Sequence, residues 1–169
     1  GRWPKYVHND LLPRIHGFEL MMAPYTIAHL KLAMAFKTTG FKYFNRRLGI
    51  YLTNSLEETT KQEELFTSFG LADSIAQESK EAAIIKNKTP IMVVIGNPPY
   101  SGESSNVQYK GNDVYKIEPK GGKLQERNSK WLNDDYVKFI RFAESMVEKT
   151  GEGIVAMITA HGYIDNPTF

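Results

Sequence analysis

The residues best suited to chemistry are Asn97-Pro98-Pro99-Tyr100, which follow directly on the apolar run Ile91-Met92-Val93-Val94-Ile95 and Gly96. An exocyclic amine on a nucleobase is a poor nucleophile, because its lone pair is delocalised into the ring. Two acceptors set against its two hydrogens pull the nitrogen towards tetrahedral geometry and free that lone pair for an electrophilic methyl group. The side-chain oxygen of Asn97 supplies one acceptor and the backbone carbonyl of Pro98 the other. Consecutive prolines stiffen the backbone and remove N–H donors that would compete there. Tyr100 offers a flat ring on which a base rotated out of a duplex can stack. Such chemistry rests on positioning and electrostatics, with no general base of tuned pKa. With Pro at about 5% of residues, a chance Asn-Pro-Pro-aromatic match in a chain of this size is on the order of 0.1%. The bland readings are a proline turn after a strand, or an Asn-Pro-x-Tyr docking peptide, and the second sits poorly after five apolar residues.

The elements that must carry this tetrapeptide follow from periodicity. Residues 91–95 are apolar on both faces and predict a central parallel strand covered on each side. Arg14 to Leu20 and Gly49 to Thr53 read as two more strands, ending at Glu19 and at Asn54-Ser55-Leu56. Pro24 suits the first turn of a helix with Ile27, Leu30, Met34 and Ala35 at helical spacing, and Gly40 stops it. Thr60 with Glu63 resembles a capping box, opening a helix or helix pair through Leu65, Phe66 and Phe69 that breaks near Gly70 and runs towards Ile84 and Ile85. Asp134 caps a strong helix with Tyr136, Phe139, Ile140, Ala143, Met146 and Val147 on one face, and Gly151 ends it. Gly153 to Thr159 is the last strand, followed by Ala160-His161-Gly162-Tyr163. Residues 101–131 form a long polar loop, either functional or partly disordered. Its Lys110, Lys116, Lys120, Lys123, Arg127 and Lys130 are interleaved with Tyr109 and Tyr115 and could order on DNA or simply be solvated.

Strands alternating with helices predict an α/β fold with a parallel sheet, in which ligands bind at the carboxyl ends of strands. Glu19, Asn54, Asn97 and His161 all fall at such ends. The 169 residues contain no cysteine, which removes disulfides, thiolate metal sites and any thiol nucleophile from this stretch. His8, His16 and His29 show no metal-ligand spacing with carboxylates, so no metal is expected. A net charge of +2 is mild for a stand-alone DNA binder, so most phosphate contacts are expected on other parts of a longer protein. No apolar run is long enough to span a bilayer, and a cytoplasmic protein without a membrane partner is the expectation.

With these residues in view, the sequence resembles the N6-adenine DNA methyltransferases. The flanks resemble the methyltransferase portion of the large single-chain restriction–modification enzymes called Type ISP. The stretches carrying this are Leu12 to Leu32, Ile50 to Glu57, Val94 to Gly102, Lys130 to Glu144 and Ala160 to Phe169. The resemblance implies S-adenosylmethionine as cofactor, double-stranded DNA with a flipped adenine as partner, and nuclease, helicase and target-recognition domains elsewhere in a longer chain. It implies that Glu19 accepts hydrogen bonds from the cofactor ribose, that Leu20 packs on its adenine ring, and that Leu56 covers that ring. Asn54 stands where the family usually has Asp, so it would accept from the exocyclic amine without a charge. The family's sheet is Rossmann-like, and its glycine-rich first strand has no counterpart here. Residues 1–169 therefore read as a partial catalytic domain, expected to bind cofactor weakly alone and to be inactive alone. Cytosine N4 or a protein glutamine are alternative acceptors, and a non-catalytic interaction module of a restriction complex is the alternative to an enzyme.

Overall fold

The computed structural model describes residues 1–57, 72–100, 102, 104–126 and 129–165. The expected capping box at Thr60 and Glu63 lies outside them, as do Arg127 and the final Pro167-Thr168-Phe169. The chain divides into two compact units, residues 1–55 with 59–88, and residues 56–58 with 89–169.

In the first unit, helix α1 (Arg2–Tyr6) runs on through a wide turn at Val7–Leu11 and a tight one at Leu12–Arg14. Strand β1 (Gly17–Glu19), helix α2 (Met22–Thr38), strand β2 (Ile50–Leu52) and helix α3 (Ala72–Lys88) follow. The strands pair in parallel with Gly17 opposite Ile50 and Glu19 opposite Leu52. Val7, Leu12, Phe36, Phe41, Leu48 and Ile50 form the core, with Tyr25, Ala28 and Leu32 of α2 packed against it. The inward stripe of α2 is therefore Tyr25, Ala28, Leu32 and Phe36. Ile27, Leu30 and Met34, the stripe at helical spacing in the sequence, face out and are more than half exposed. The aromatic side of the helix wins because Phe36 meets Phe41 and Phe44 with ring centroids 5.8 and 5.6 Å away, and rings bury the most area per residue. Pro24 falls at the third helical position, within the first turn as expected.

The second unit holds strand β3 (Val93–Gly96), helix α4 (Asp135–Glu148), strand β4 (Ile154–Met157) and the single turn α5 (Gly162–Asp165). β3 and β4 are parallel, with Val93 opposite Ile154 and Gly96 opposite Met157. The alternation of helices with parallel strands agrees with the α/β expectation, although the strands form two separate pairs. β3 is not covered on both faces: Val93 is 54% and Ile95 80% exposed. Among the described residues β4 is its only paired neighbour, and α4 packs on this pair. Of the face expected on α4, Tyr136, Ala143 and Met146 are buried and Phe139, Ile140 and Val147 half-buried, while Val137, outside that expected face, is buried as well. Within 101–131 the chain makes tight helical turns at Gly111–Lys116 and Ser129–Asn133, and an antiparallel bridge of Ile117 with Lys123.

Each parallel pair starts at a glycine that admits a neighbouring carbonyl. A Cβ on Gly49 would stand 2.6 Å from the Ile15 carbonyl oxygen, and one on Gly153 would stand 2.4 Å from that of Met92. Both are closer than van der Waals contact allows. The second close approach is what lets Ile154 N–H donate to Met92 at 2.7 Å and open the ladder that ends at Asn97. Gly153→Ala should therefore destabilise the protein by about 1–3 kcal/mol through overpacking, read as a lower denaturant midpoint. An unchanged midpoint would show that the backbone yields there.

Candidate functional site

The tetrapeptide begins where the β3–β4 ladder ends. Ile158 N–H donates to the Gly96 carbonyl at 3.0 Å, so the backbone is fixed up to the residue before Asn97. Beyond it, Asn97 is exposed, Pro98 is buried, Pro99 is exposed and Tyr100 is 54% exposed. Neither the Asn97 carboxamide nor the Pro98 carbonyl has a hydrogen-bond partner among the described residues. Two acceptors and an aromatic ring thus stand together on one short loop at a strand's carboxyl end.

The segment after Tyr100 is fastened to the first turn of α4. Asp134 caps the helix through Tyr136 N–H at 3.4 Å, and its other oxygen accepts from Gly102 N–H at 3.0 Å. Asp135 accepts from Ser104 Oγ at 2.5 Å, Ser105 N at 3.3 Å, Ser105 Oγ at 3.1 Å and Asn106 Nδ2 at 3.0 Å. Lys138 donates to Ser104 Oγ at 2.7 Å and to the Asn106 carbonyl at 2.6 Å. Burial works to raise the Asp135 carboxyl, but the hydroxyl, amide and backbone donors outweigh it and hold the group below its ordinary range. Burial pushes the Lys138 ammonium down, against the pull of Asp135, and Lys110 and Lys116 add to the downward push.

Three of the four residues expected to hold a cofactor lie in the first unit. Glu19 ends β1, and its Oε1 accepts from Leu20 N–H at 2.9 Å and Met21 N–H at 3.1 Å. Its Oε2 has no hydrogen-bond partner among the described residues. Leu20 is 65% exposed. Asn54 follows β2, and Thr53 N–H donates to the Glu19 carbonyl at 2.8 Å, so the two strand ends lie side by side. Leu56 groups with the second unit and is buried at 4% exposure, so it presents little surface to a ring.

Several supporting side chains escaped the sequence reading. The buried Lys86 ammonium donates to the Asn54 carbonyl at 2.6 Å and lies 5.3 Å from the centre of the Phe18 ring. Arg47 pairs with Glu78 and donates to the Ile50 carbonyl at 2.6 Å, while Glu78 accepts from Leu52 N–H at 3.0 Å. In α4 the missed signal was a pair of charges, Asp135 and Lys138, three apart in a helix whose neighbouring positions are apolar. Of the remaining candidates, Tyr163 packs near Tyr136 at 6.3 Å and His161 lies 3.8 Å from Asp165. His8 and His29 pack on Phe41 and Tyr25 at 5.0 and 4.7 Å.

A family model described as the Eco57I restriction-modification methylase matches residues 14–168. The chain belongs to that family. Among solved structures, this Eco57I-type methylase chain is similar to one in a DrdV–DNA complex determined by electron cryomicroscopy, at 27% identity and a TM-score of 0.67 over 98% of its length. It also shares a fold with a nuclease-deletion mutant of the Type ISP restriction-modification enzyme LlaGI, solved with a DNA substrate mimic. That match is 20% identical, with a TM-score of 0.64 over 97% of this chain. The chain spans 16% and 15% of those two chains. Comparison with curated protein sequences gave no match.

The Glu78 cluster sets an acid limit on the first unit. Burial works to raise its carboxyl, but hydrogen bonds from Arg47, Leu52 N–H and Tyr25 together hold it below the ordinary 4.5. A depressed carboxyl stabilises the fold fully above its unfolded pKa, and the contribution is lost as pH falls through the folded one. Glu78→Gln should therefore flatten the fall in stability below about pH 4.5, measured by unfolding from pH 7 to pH 3. An identical acid limb in the variant would remove Glu78 from that role.

Proposed function

We propose that this methylase transfers a methyl group from S-adenosylmethionine to N6 of adenine in DNA, as part of a restriction–modification enzyme. The observation that carries the reading is the pair of unengaged acceptors, Asn97 Oδ1 and the Pro98 carbonyl, beside the exposed Tyr100 ring. In this reading both acceptors take hydrogen bonds from the amine of a flipped adenine, and Tyr100 stacks on the base. With conjugation lost, the nitrogen lone pair would be held by Asn97 and Pro98 in position for the methyl group that the cofactor would supply, its sulfur keeping the bonding electrons. The proton shed by the nitrogen leaves along the Asn97–Pro98 acceptors towards solvent.

The residues present fit the cofactor: Glu19 keeps one carboxylate oxygen open at a strand end, and Asn54 stands at the adjoining end. Glu19 would hold the ribose, Leu20 the ring face and Asn54 the exocyclic amine, with Leu56 available only after its side chain opens. When bound, S-adenosylmethionine supplies an electrophilic methyl group on a sulfonium. A Rossmann-like arrangement of the strands is part of this proposal, supported by the parallel pairing and the family. That both similar structures are described as DNA complexes supports duplex DNA as the partner. Nuclease, helicase and target-recognition functions belong, in this proposal, to the rest of the enzyme.

In the enzyme that carries this chain, Asn97→Ala should lower methyl transfer by 100-fold or more while S-adenosylmethionine affinity stays within about two-fold. Tyr100→Phe should keep most activity and Tyr100→Ala should lose about ten-fold or more, since about 1–3 kcal/mol of stacking goes with the ring. Mass spectrometry of digested product DNA reads the acceptor. N6-methyladenine is expected, whereas N4-methylcytosine, a methylated protein glutamine, or full activity in Asn97→Ala would overturn the proposal.

A further inference from the structure

Outside the tetrapeptide, the densest set of buried charges in the second unit lies at the start of α4. Asp134, Asp135 and Lys138 are 5%, 2% and 3% exposed. Capping accounts for Asp134 alone, whose carboxylate accepts from Tyr136 N–H. Among the described residues, the side-chain hydrogen bonds of Asp135 and Lys138 go to one place, residues 104–106, the segment that follows the tetrapeptide. Helix formation does not need them there, and two buried opposite charges, joined here only through Ser104 and Asn106, are a poor source of stability compared with apolar side chains of the same size. What such a pair does supply is one permitted arrangement for the groups that satisfy it.

Ser104 shows how narrow that arrangement is. Its hydroxyl donates to Asp135 and accepts from both Lys138 Nζ and Asn106 N–H at 3.0 Å, so its single donor and both lone pairs are used. Gly102, two residues beyond Tyr100, is tied to Asp134 in the same turn. Two residues of chain reach at most about 7 Å, so the position of Tyr100 is tethered from its far side. Gly96, locked into the ladder by Ile158, tethers the tetrapeptide from its near side. The carboxylate stays charged at neutral pH because its donors outweigh its burial.

We propose that Asp135, with Lys138, is a positioning residue for the base-binding loop: the pair latches residues 104–106 so that Asn97 to Tyr100 meet the incoming base in one fixed geometry. The inference rests on the function proposed above. An amide at 135 keeps one acceptor oxygen but turns N–H donors on the donors of Ser105 and Asn106, which loosens the latch.

The test uses the enzyme that carries this chain, with unmodified DNA for methyl transfer and, for base rotation, the same duplex with 2-aminopurine in place of the adenine methylated by the wild type. Asp135→Asn and Lys138→Met should each lower single-turnover methyl transfer ten-fold or more. S-adenosylmethionine affinity should stay within two-fold, and the fluorescence rise that reports base rotation should shrink. The Ser104→Ala/Ser105→Ala double variant, which keeps both charges, should show the same pattern at roughly three-fold and decides the matter if the charge variants do not fold. A purely structural role predicts a lower melting temperature with normal transfer rate and normal fluorescence per folded molecule, and that result overturns the proposal. Wild type that methylates no adenine overturns this inference together with the function. An active wild type with an unaffected Asp135→Asn overturns the latch alone.

Discussion

Three ionisable side chains at the start of α4 are almost wholly removed from water, and each must find compensation inside the protein. An isolated buried charge costs several kcal/mol even after relaxation, whereas charge-assisted hydrogen bonds return about 1.5–3 kcal/mol each. The compensation comes from backbone and side-chain groups of Gly102, Ser104, Ser105 and Asn106. The helix therefore cannot form its native environment without that stretch, nor can the stretch choose another path without stranding the charges. The loop carrying Asn97 is caught between this requirement and the parallel ladder that ends at Gly96.

The first unit solves a related problem with different groups. A two-stranded parallel pair is short of hydrogen-bond partners along its outer edge. Along β2 these partners are side chains: Arg47 caps the Ile50 carbonyl and Glu78 the Leu52 N–H, and the two ions pair with each other. Eight residues along α3 from Glu78, on the same face of the helix, Lys86 reaches the carbonyl of Asn54. A single helix thus fixes both the edge of the strand and the residue just past its end. The proposed cofactor contacts Glu19 and Asn54 inherit their spacing from that arrangement.

What was legible in the sequence follows from what is local. Asn-Pro-Pro-Tyr after an apolar run, the Asp134 cap and the apolar face of α4 are read from neighbours within a few residues, and the structure has all three. The parallel strands at Gly17–Glu19, Ile50–Leu52 and Ile154–Met157 fall within the stretches expected, and Val93–Gly96 begins two residues later and ends one later than residues 91–95. The facing of α2 was not legible, because two apolar stripes compete on it and the choice depends on Phe41 and Phe44, which lie beyond the helix end. Coverage of β3 was misjudged for the same kind of reason: an apolar strand reports that both faces can be buried, not that both are. Arg47 with Glu78 and Asp135 with Ser104 join residues about thirty apart, a separation at which charge pairing leaves no periodic trace.

The capped edge of β2 also gives the first sheet a direction. A two-stranded ribbon ordinarily accepts a newcomer on either flank, but here the Ile50 carbonyl and Leu52 N–H are already taken by a guanidinium and a carboxylate. A further strand could join only alongside β1, so an ion pair with one partner on α3 decides on which side this sheet can grow.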